Sequence, residues 1–502
     1  MPNSARTRLA TGRNPSEIRE TIQRFLKVCL QPALLDPGSD LMALNGQNFV
    51  LELGGSRLTL QAWDEHRNLV RRIMDVEGQD RGRMELAIER FGGRRGSLFL
   101  LDLARPAASE WSRRGARMVF RERFRDFLSR EFSRWNISEI TTEADLEHSL
   151  SPAYPRALLK RGMTGLAAMA APPEGLNSSS VLSFGLIWLD YLRRRERRLA
   201  IEGLLLFVPA DDARPTALRL RYLDHAATRF TLLAYDTSGL TARVDPQDAG
   251  NLNTKLETCR QPSRAHQDVL AELASIDGVE RIETGDGEAS LRVRGLEFAR
   301  TEGEVLRYGL GDRAIMNAHS LPECTQLARN LASLRHSGAR GGDLYLRNPE
   351  GWLESQVRAN LAAIDPTLTP APIYGQVPAF AAGDRGILDL LAVDSTGRLA
   401  VIELKASSDL HLPLQALEYW MRVRWHLERG EFSGCGYFPG TALRNDPPRL
   451  LLVAPALEFH PSTERILAHF SREIEVERIG LGAHWRSAID VMFRLRGAER
   501  PA

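Results

Sequence analysis

The segment from Gly386 to Tyr419 constrains the fold of this chain more than any other. Two apolar runs, Ile387 to Val393 and Arg398 to Ala406, flank the tetrapeptide Asp394-Ser395-Thr396-Gly397. A three-residue loop that ends in a left-handed glycine suits this tetrapeptide, so the two runs are predicted to form an antiparallel hairpin. Because both faces of the hairpin are apolar, we expect a central sheet that is covered on both sides.

The loop length fixes which residues of the hairpin face each other. A three-residue loop brings Leu391 opposite Val401 and Asp389 opposite Glu403. Cross-strand partners share a face, with Cβ atoms about 5 Å apart. Lys405 shares that face by the two-residue period of a strand. The hairpin therefore predicts two carboxylates and one ammonium group on the same face of a sheet.

This combination of charges is typical of a metal-dependent phosphodiesterase site. Two buried carboxylates repel each other, and a bound Mg²⁺ or Mn²⁺ ion would relieve the repulsion. Lys405 could orient a water molecule or stabilise negative charge. A Glu-x-Lys pair on an isolated strand is more often a solvated ion pair, but here the flanking residues are apolar.

Helices are predicted on both sides of the hairpin. Asn348-Pro349-Glu350 is typical of a helix start, and Glu354 could then reach a metal-coordinated water. After Lys405, Gln415 and Tyr419 fall on one face of a second helix. A surface glutamate and an ordinary polar helix edge are the structural alternatives for these residues.

These elements together resemble the PD-(D/E)xK nuclease superfamily. The matching elements are Glu354, Gly386-Ile387-Leu388-Asp389, Glu403-Leu404-Lys405 and Gln415 to Tyr419. The last element is similar to RecB-type nucleases, and the hairpin looks most like the nuclease domain of EndoMS/NucS-type DNA endonucleases. The match covers residues 345 to 500, but Ala406-Ser407 follows the lysine where the EndoMS/NucS type tends to have a basic residue.

The resemblance implies a fold, a cofactor and a set of site residues. The fold is α/β, with a C-terminal α/β/α restriction-endonuclease-like sandwich that has a mixed central sheet and follows α+β domains. The cofactor is Mg²⁺ or Mn²⁺, with Asp389, Glu403 and Leu404 as metal ligands. Lys405 would assist the attacking water. The implied catalytic residues are Glu354, Asp389, Glu403, Lys405, Gln415 and Tyr419.

The rest of the chain is expected to form two further domains. We place an α+β domain at 1–140 and a mixed α/β domain at 141–335, before a nuclease domain at 345–502. The first would contain a hairpin at 48–63 and helices at 16–30 and 65–76. In the nuclease domain we expect a buried strand at 449–457, a helix at 461–470 and an edge strand at 474–479. No internal repeat is evident, and no nucleotide-binding or zincin motif is present.

Two arginine clusters are candidate phosphate contacts. The segment 111–135 contains eight arginines and three acidic residues, and Phe120, Phe124, Phe127, Leu128 and Phe132 give it an apolar helix face. A second cluster spans 193–198. Either could bind phosphates, or it could be the solvated side of a structural helix. Since the net charge is only +2, nucleic-acid affinity would depend on local patches.

The sequence thus predicts a metal-dependent DNA nuclease, more specifically an endonuclease in repair, restriction or mobile-element defence. The alternatives are a non-catalytic nucleic-acid-binding or scaffold protein on a nuclease fold, and an RNA nuclease. No apolar run is long enough for a membrane span, and four scattered cysteines favour a reducing cytoplasm. A homodimer and a protein partner for the N-terminal domains stay open.

Overall fold

The computed structural model describes the chain apart from residues 1–13, 37–41, 55–56, 64–67, 80–81, 91–93, 103–106, 174–179, 237, 249, 251–253, 261–264, 285–286, 340, 376–388 and 499–502. The described residues form a mixed α/β protein with four sheets, of which two are antiparallel and two combine parallel and antiparallel pairs. The predicted α/β class is confirmed at this level. Within the described parts, no helix has the length and apolar character that crossing a membrane requires.

The first sheet is antiparallel and carries one helix. Its elements are α1 (Pro15–Val28), β1 (Pro32–Leu35), β2 (Met42–Ala43), β3 (Phe49–Gly54), β4 (Arg57–Trp63), β5 (Asn68–Gln79), β6 (Arg83–Arg90) and β7 (Arg94–Asp102). The strand order is β2-β1-β7-β6-β5-β4-β3. The predicted first helix and the β3–β4 hairpin are confirmed, with Gly54 opposite Arg57.

The helix predicted at 65–76 is wrong, because strand β5 covers that stretch. Ile73 and Val76 both lie in the core although they are three residues apart. Register shifts in the pairing with β6, between Ile73 and Asp75 and between Val76 and Gly78, break the two-residue alternation. A bulged strand can therefore imitate the spacing of a helix.

The second sheet and its helices form what we call the middle unit, residues 107–244. Its elements are α2 (Ala107–Glu131), β8 (Asn136–Thr141), β9 (Arg156–Arg161), β10 (Thr164–Ala170), α3 (Val181–Arg195), β11 (Ala200–Pro209), α4 (Ala213–Arg221), β12 (Arg229–Tyr235) and β13 (Thr241–Val244). The strand order is β13-β12-β11-β10-β9-β8. Phe124 and Phe127 of α2 pack on Leu159 and Phe207 of this sheet, so the basic helix belongs to the core of the middle unit.

The third sheet is a smaller antiparallel sheet with its strands in chain order. Its elements are α5 (Gln267–Ala274), β14 (Val279–Glu283), β15 (Ala289–Val293), β16 (Leu296–Glu302), β17 (Val305–Tyr308), β18 (Ala314–Ile315) and α6 (Leu321–Leu334). Leu273, Phe298 and Leu331 belong to its own apolar core. This third unit therefore stands between the middle unit and the last sheet in the chain.

The fourth sheet and its helices form the C-terminal unit, residues 343–498. Its elements are α7 (Asp343–Leu346), α8 (Pro349–Ala359), α9 (Leu361–Ile364), β19 (Tyr374–Gly375), β20 (Leu390–Val393), β21 (Leu399–Leu404), α10 (Leu412–Glu428), α11 (Glu431–Gly434), β22 (Arg449–Pro455), α12 (Thr463–Leu467), β23 (Val476–Leu481) and β24 (Val491–Arg496). Strand β22 and helix α12 are where the sequence predicted them. The predicted edge position of the 474–479 strand is wrong, because β24 pairs with β23 on its outer side.

Apolar layers cover both faces of the fourth sheet, as the hairpin sequence predicted. Alternate residues of the hairpin point in opposite directions: Ile402 packs with Trp352 of α8, whereas Val401 packs with Trp420 of α10. The cluster on the α10 side also contains Trp188 of the middle unit. The middle and C-terminal units therefore share one continuous core.

The middle and C-terminal units follow the same chain path. In each, the strand before the crossover helix pairs antiparallel with its predecessor and parallel with the strand after the helix. A further parallel strand and an antiparallel edge strand complete both sheets. The two units therefore repeat one strand topology, although no repeat is evident in the sequence.

Candidate metal and phosphodiesterase site

The hairpin has the predicted register. Leu391 pairs with Val401, and the ladder runs from Leu390–Ile402 to Val393–Leu399. Gly397 has φ 88°, the left-handed conformation that the three-residue loop requires. The Asp394 carboxylate accepts hydrogen bonds from the backbone N–H groups of residues 396 and 398, at 2.8 and 3.0 Å. The loop is therefore closed by its own side chain, and the register follows from the turn.

Asp389 and Glu403 lie at one end of this ladder. Asp389 immediately precedes β20, and the same register places it opposite Glu403 in β21. Its Oδ2 accepts a hydrogen bond from the backbone N–H of Leu404 at 2.7 Å. Glu403 is only 2% exposed, and its Oε2 has no hydrogen-bond partner. Such an unsatisfied carboxylate oxygen in a buried position is costly unless a cation or proton occupies the site.

Lys405 provides one positive charge beside the two carboxylates. Its Nζ lies 3.3 Å from Glu403 Oε1 and 3.8 Å from Glu350 Oε1. Although burial acts in the opposite direction, the carboxylates of Glu350, Glu403 and Asp389 hold the pKa of Lys405 well above its usual value. The amine is therefore an ammonium ion at neutral pH and acts as a charge and a donor.

The two carboxylates are destabilised in their charged forms. Burial, and then the charge of Glu403, raises the pKa of Asp389 well above its usual value. Burial raises the pKa of Glu403 to about 7, although Lys405 opposes the change. Burial likewise raises the pKa of Glu350, with Lys405 again opposing. One ammonium group therefore does not balance the three carboxylates around it.

Helix α8 brings a different glutamate to the site from the one that the sequence indicated. Glu354 is buried, but its carboxylate lies 2.9 Å from Arg358 and 3.6 Å from Arg292 of the third unit. Glu350, one turn earlier, is the residue that approaches Lys405. In the sequence, Glu350 falls in the first turn of the helix, before the spacing of the apolar residues shows which face of the helix is buried.

The start of α8 is fixed by the third unit. Arg335, at the end of α6, is fully buried and donates hydrogen bonds to the carbonyl groups of Leu344 and Asn348, the latter at 3.0 Å. Asn348 caps α8 by accepting from the backbone N–H of Gly351 at 2.9 Å. These bonds hold the first turn of α8, and with it Glu350, against the end of the fourth sheet.

Helix α10 covers the site from the other side. Burial, and then the charges of Glu403 and Asp389, raise the pKa of Tyr419 well above its usual value. Gln415 is partly buried one turn earlier on the same helix. At the start of α10, the Asp409 carboxylate accepts from the backbone N–H of His411 at 2.7 Å. Tyr419 belongs to the same apolar cluster as Val401, so it lies on the α10 face of the sheet.

The predicted elements reach the site to different extents. Asp389, Glu403, Lys405 and Tyr419 lie together around one end of the sheet, and the backbone of Leu404 joins them through its bond to Asp389. Glu354 lies apart with its arginine partners. Gly386, Ile387 and Leu388 fall outside the described residues.

The two arginine clusters are largely occupied by contacts inside the protein. In α2, Arg121 and Arg125 pair with Glu122, and Arg123 donates to the carbonyl of Asp236 at 3.0 Å. At the end of α3, Arg194 lies 3.2 Å from Asp190, and Arg195 pairs with Glu139 and Glu196. These contacts are what the structural interpretation of the clusters predicts.

A divalent cation fits the site by its chemistry. Glu403 presents a buried oxygen without a partner, and the adjoining carboxylates carry more negative charge than Lys405 balances. Within the described ranges, no three His, Cys, Asp or Glu side chains are grouped so that they could hold a metal ion. Two carboxylate ligands would suit Mg²⁺, because this ion keeps several of its waters.

Comparison of the chain with protein-family models, with curated proteins and with solved structures gave no match.

Proposed function

We propose that this protein is a metal-dependent nuclease that hydrolyses phosphodiester bonds in DNA. The observation that carries the proposal is the pair Asp389 and Glu403, which lies beside Lys405 at one end of the hairpin strands, with Glu403 2% exposed and one of its oxygens without a hydrogen-bond partner. Carboxylates whose pKa values are raised by burial and by a neighbouring like charge cluster at functional sites, where catalysis uses such pKa values. The resemblance to DNA endonucleases is what favours DNA over RNA.

The C-terminal unit is, in this proposal, a restriction-endonuclease-like sandwich. Its mixed sheet, with α8 on one face and α10 on the other, supports that assignment. The site then lies where the hairpin strands end, between the first turns of the two helices. In this proposal a scissile phosphate enters at the end of the strands that carries the carboxylates, opposite the 394–398 loop.

Asp389 and Glu403 would hold a Mg²⁺ or Mn²⁺ ion, with the Leu404 backbone alongside. Such an ion supplies charge neutralisation at the phosphate and lowers the pKa of water. Lys405, as an ammonium ion, donates a hydrogen bond to the phosphate and stabilises the charge that develops on it. Gln415 and Tyr419 of α10 would orient the phosphate.

The reaction balances with one water molecule. The water oxygen forms a bond to phosphorus, and the bond from phosphorus to one ester oxygen breaks. That ester oxygen leaves with a proton from solvent. Glu350 accepts the proton that the water loses, because a carboxylate with a raised pKa is suited to that role.

The test compares cutting of supercoiled, linear, single-stranded and mismatched DNA and matched RNA, with Mn²⁺, Mg²⁺ or EDTA. We expect metal-dependent cutting of DNA that Asp389→Asn abolishes and that Lys405→Met and Glu350→Gln reduce at least tenfold. Glu354→Gln is the matched control, since this glutamate is buried in the same helix but paired with arginines. At a temperature where circular dichroism shows it folded, Glu354→Gln should keep its activity.

Two outcomes would contradict the proposal. Cutting that survives Asp389→Asn would place the activity elsewhere or in a contaminant. DNA binding without cutting, by a folded protein with Mn²⁺, would favour the non-catalytic alternative. Cutting of RNA but not DNA would keep the site and change the substrate.

A further inference from the structure

The middle unit has positions equivalent to three residues of the proposed site, Asp389, Glu403 and Lys405. The segments Leu204–Pro209 and Leu450–Pro455 read LLLFVP and LLLVAP, and each is followed by a 3-10 turn, Ala210–Asp212 or Ala456–Glu458. The backbone N–H of Ala171 donates to the carbonyl of Phe207 at 2.9 Å, and that of Lys405 donates to Val453 at 3.0 Å. Ala171 therefore occupies the place of Lys405.

The same register assigns the other two positions. Met169 is two residues before Ala171, as Glu403 is two before Lys405, and Arg156 pairs with Met169. Arg156 therefore stands where Asp389 stands, on the corresponding face of the sheet. Met169 is buried in the shared core, and Arg156 lies with its guanidinium carbon 5.4 Å from the Trp188 ring. The middle unit has the path of the C-terminal unit without its carboxylates.

The two units meet through reciprocal contacts. Leu223, just after α4, forms an antiparallel bridge with Phe470, just after α12. The backbone N–H of Asp224 donates a hydrogen bond to the backbone carbonyl of His469, and the backbone N–H of Ser471 donates to the backbone carbonyl of Tyr222, both at 2.8 Å. The alignment that matches Ala210 with Ala456 also matches Leu223 with His469, so the bridge joins positions that are one residue apart in the two units. Matching segments of the two units therefore pair with each other, as they do across a two-fold interface.

The helices repeat this reciprocity. Helix α3 packs against α12, and α4 packs against α10. Arg219 of α4 pairs with Glu418 of α10, while Arg465 of α12 lies 3.6 Å from Asp190 of α3. Each crossover helix thus provides an acid and each later helix an arginine. The two units are arranged as two subunits of an isologous dimer would be, within one chain.

The middle unit also reaches the surroundings of the site. His411, the residue before α10, has its Nδ1 3.1 Å from Ser183 Oγ, and its ring packs on Phe184. Both contacts come from α3. His411, which precedes the helix that covers the site, is therefore held by the middle unit, although that unit has no carboxylates at the equivalent positions.

We propose that the chain is an intramolecular pseudo-dimer that cuts one strand of duplex DNA for each binding event. The inference rests on the proposed nuclease function and specifies its substrate and product. Two equivalent sites related by a two-fold axis can match the two strands of a duplex, which are themselves related by two-fold axes. Here the C-terminal unit cuts the strand at its site, and the middle unit covers the opposite strand without cutting it.

The test follows a supercoiled plasmid with Mn²⁺ at less than one protein per plasmid, with the molecular mass measured at the same concentration. We expect a monomer, and open circles that accumulate to most of the substrate before linear DNA appears. Linear DNA that forms from the earliest time in fixed proportion to open circles would overturn the inference while leaving the nuclease function intact. Absence of cutting on every DNA form would overturn both.

A binding measurement tests the role of the middle unit independently of the nuclease activity. The Asp389→Asn variant, with fluorescent oligonucleotides, should bind a duplex at least tenfold more tightly than either single strand, because both units contact it. Equal affinity for the single strands would overturn the role of the middle unit. Arg156→Met, a substitution in the middle unit away from the carboxylates, should leave the rate of nicking unchanged.

Discussion

Replacing Glu403 by glutamine should stabilise the protein at alkaline pH in the absence of metal. Glu403 is 2% exposed, one of its oxygens lacks a partner, and its negative charge lies beside that of Asp389. Glutamine has nearly the same shape and no charge. The substitution therefore removes a repulsion from the folded state while leaving the packing of β21 in place.

The size of the effect follows from the pKa of Glu403. Burial raises that pKa from 4.5 to about 7, and a tenfold change in a proton equilibrium corresponds to about 1.4 kcal/mol. Because the folded pKa is the higher one, stability is lost as the pH rises from the unfolded pKa through the folded pKa. The variant should exceed the wild type by about 3 kcal/mol at pH 8.5, and by less than about 1 kcal/mol at pH 5.

The assay is urea unfolding in EDTA at both pH values, with Glu477→Gln as the control. Glu477 is a second glutamate of the same sheet, 1% exposed, but it pairs with Arg449 and Arg494, each at 2.7 Å. Those hydrogen bonds lower its pKa, against burial. Glu477→Gln should therefore destabilise the protein at pH 8.5, by about 3 kcal/mol.

The two substitutions must have opposite signs at pH 8.5. If Glu403→Gln destabilises the protein as Glu477→Gln does, then Glu403 is adequately paired in the metal-free fold. In that case the carboxylates would not be poised for a cation, and the reasoning that links their burial to function would fail.

Three further predictions concern the cation, the interface between the units and the hairpin loop. Millimolar Mg²⁺ should raise the thermal midpoint of the wild type at pH 8.5 much more than at pH 5, because protons compete with the ion for the carboxylates. Mg²⁺ should have little effect on the thermal midpoint of Glu403→Gln. An equal shift of the wild type at both pH values would contradict this prediction. Glu418→Gln should lower the free energy of unfolding by about 3–5 kcal/mol, because it removes the carboxylate that pairs with the buried guanidinium groups of Arg219 and Arg422. In the same urea unfolding measurement, the surface control Glu428→Gln should change the free energy of unfolding by less than about 0.5 kcal/mol. Gly397→Ala should destabilise more than Gly430→Ala in the same measurement, because both have positive φ but only the Cβ at 397 would overlap the Ala442 carbonyl oxygen; equal losses would show that the loop can shift.

The sequence predicts the hairpin well because its information is local. The loop 394–397 specifies the turn, and the turn specifies the register that puts Asp389 opposite Glu403. The helix at 65–76 fails for the opposite reason. Its apparent helical period comes from bulges in the pairing of β5 with β6, and those depend on a neighbouring strand that a local pattern does not contain.

The choice between Glu350 and Glu354 also lies beyond local sequence. Both residues are on α8, and the helical stripe alone favours the later one. Outside α8, Glu354 pairs with Arg292, which belongs to the third unit. Likewise, the repeated strand order is not evident in the sequence, because Arg156, Met169 and Ala171 stand at the positions equivalent to Asp389, Glu403 and Lys405.

The shared core has a consequence for how the protein can be dissected. Leu206 and Trp188 of the middle unit lie in the same buried cluster as Trp420 and Leu452. A fragment that begins near residue 343 would leave this apolar surface in contact with water, and patches of that kind lead to aggregation. A minimal soluble fragment must therefore keep both the middle and the C-terminal unit.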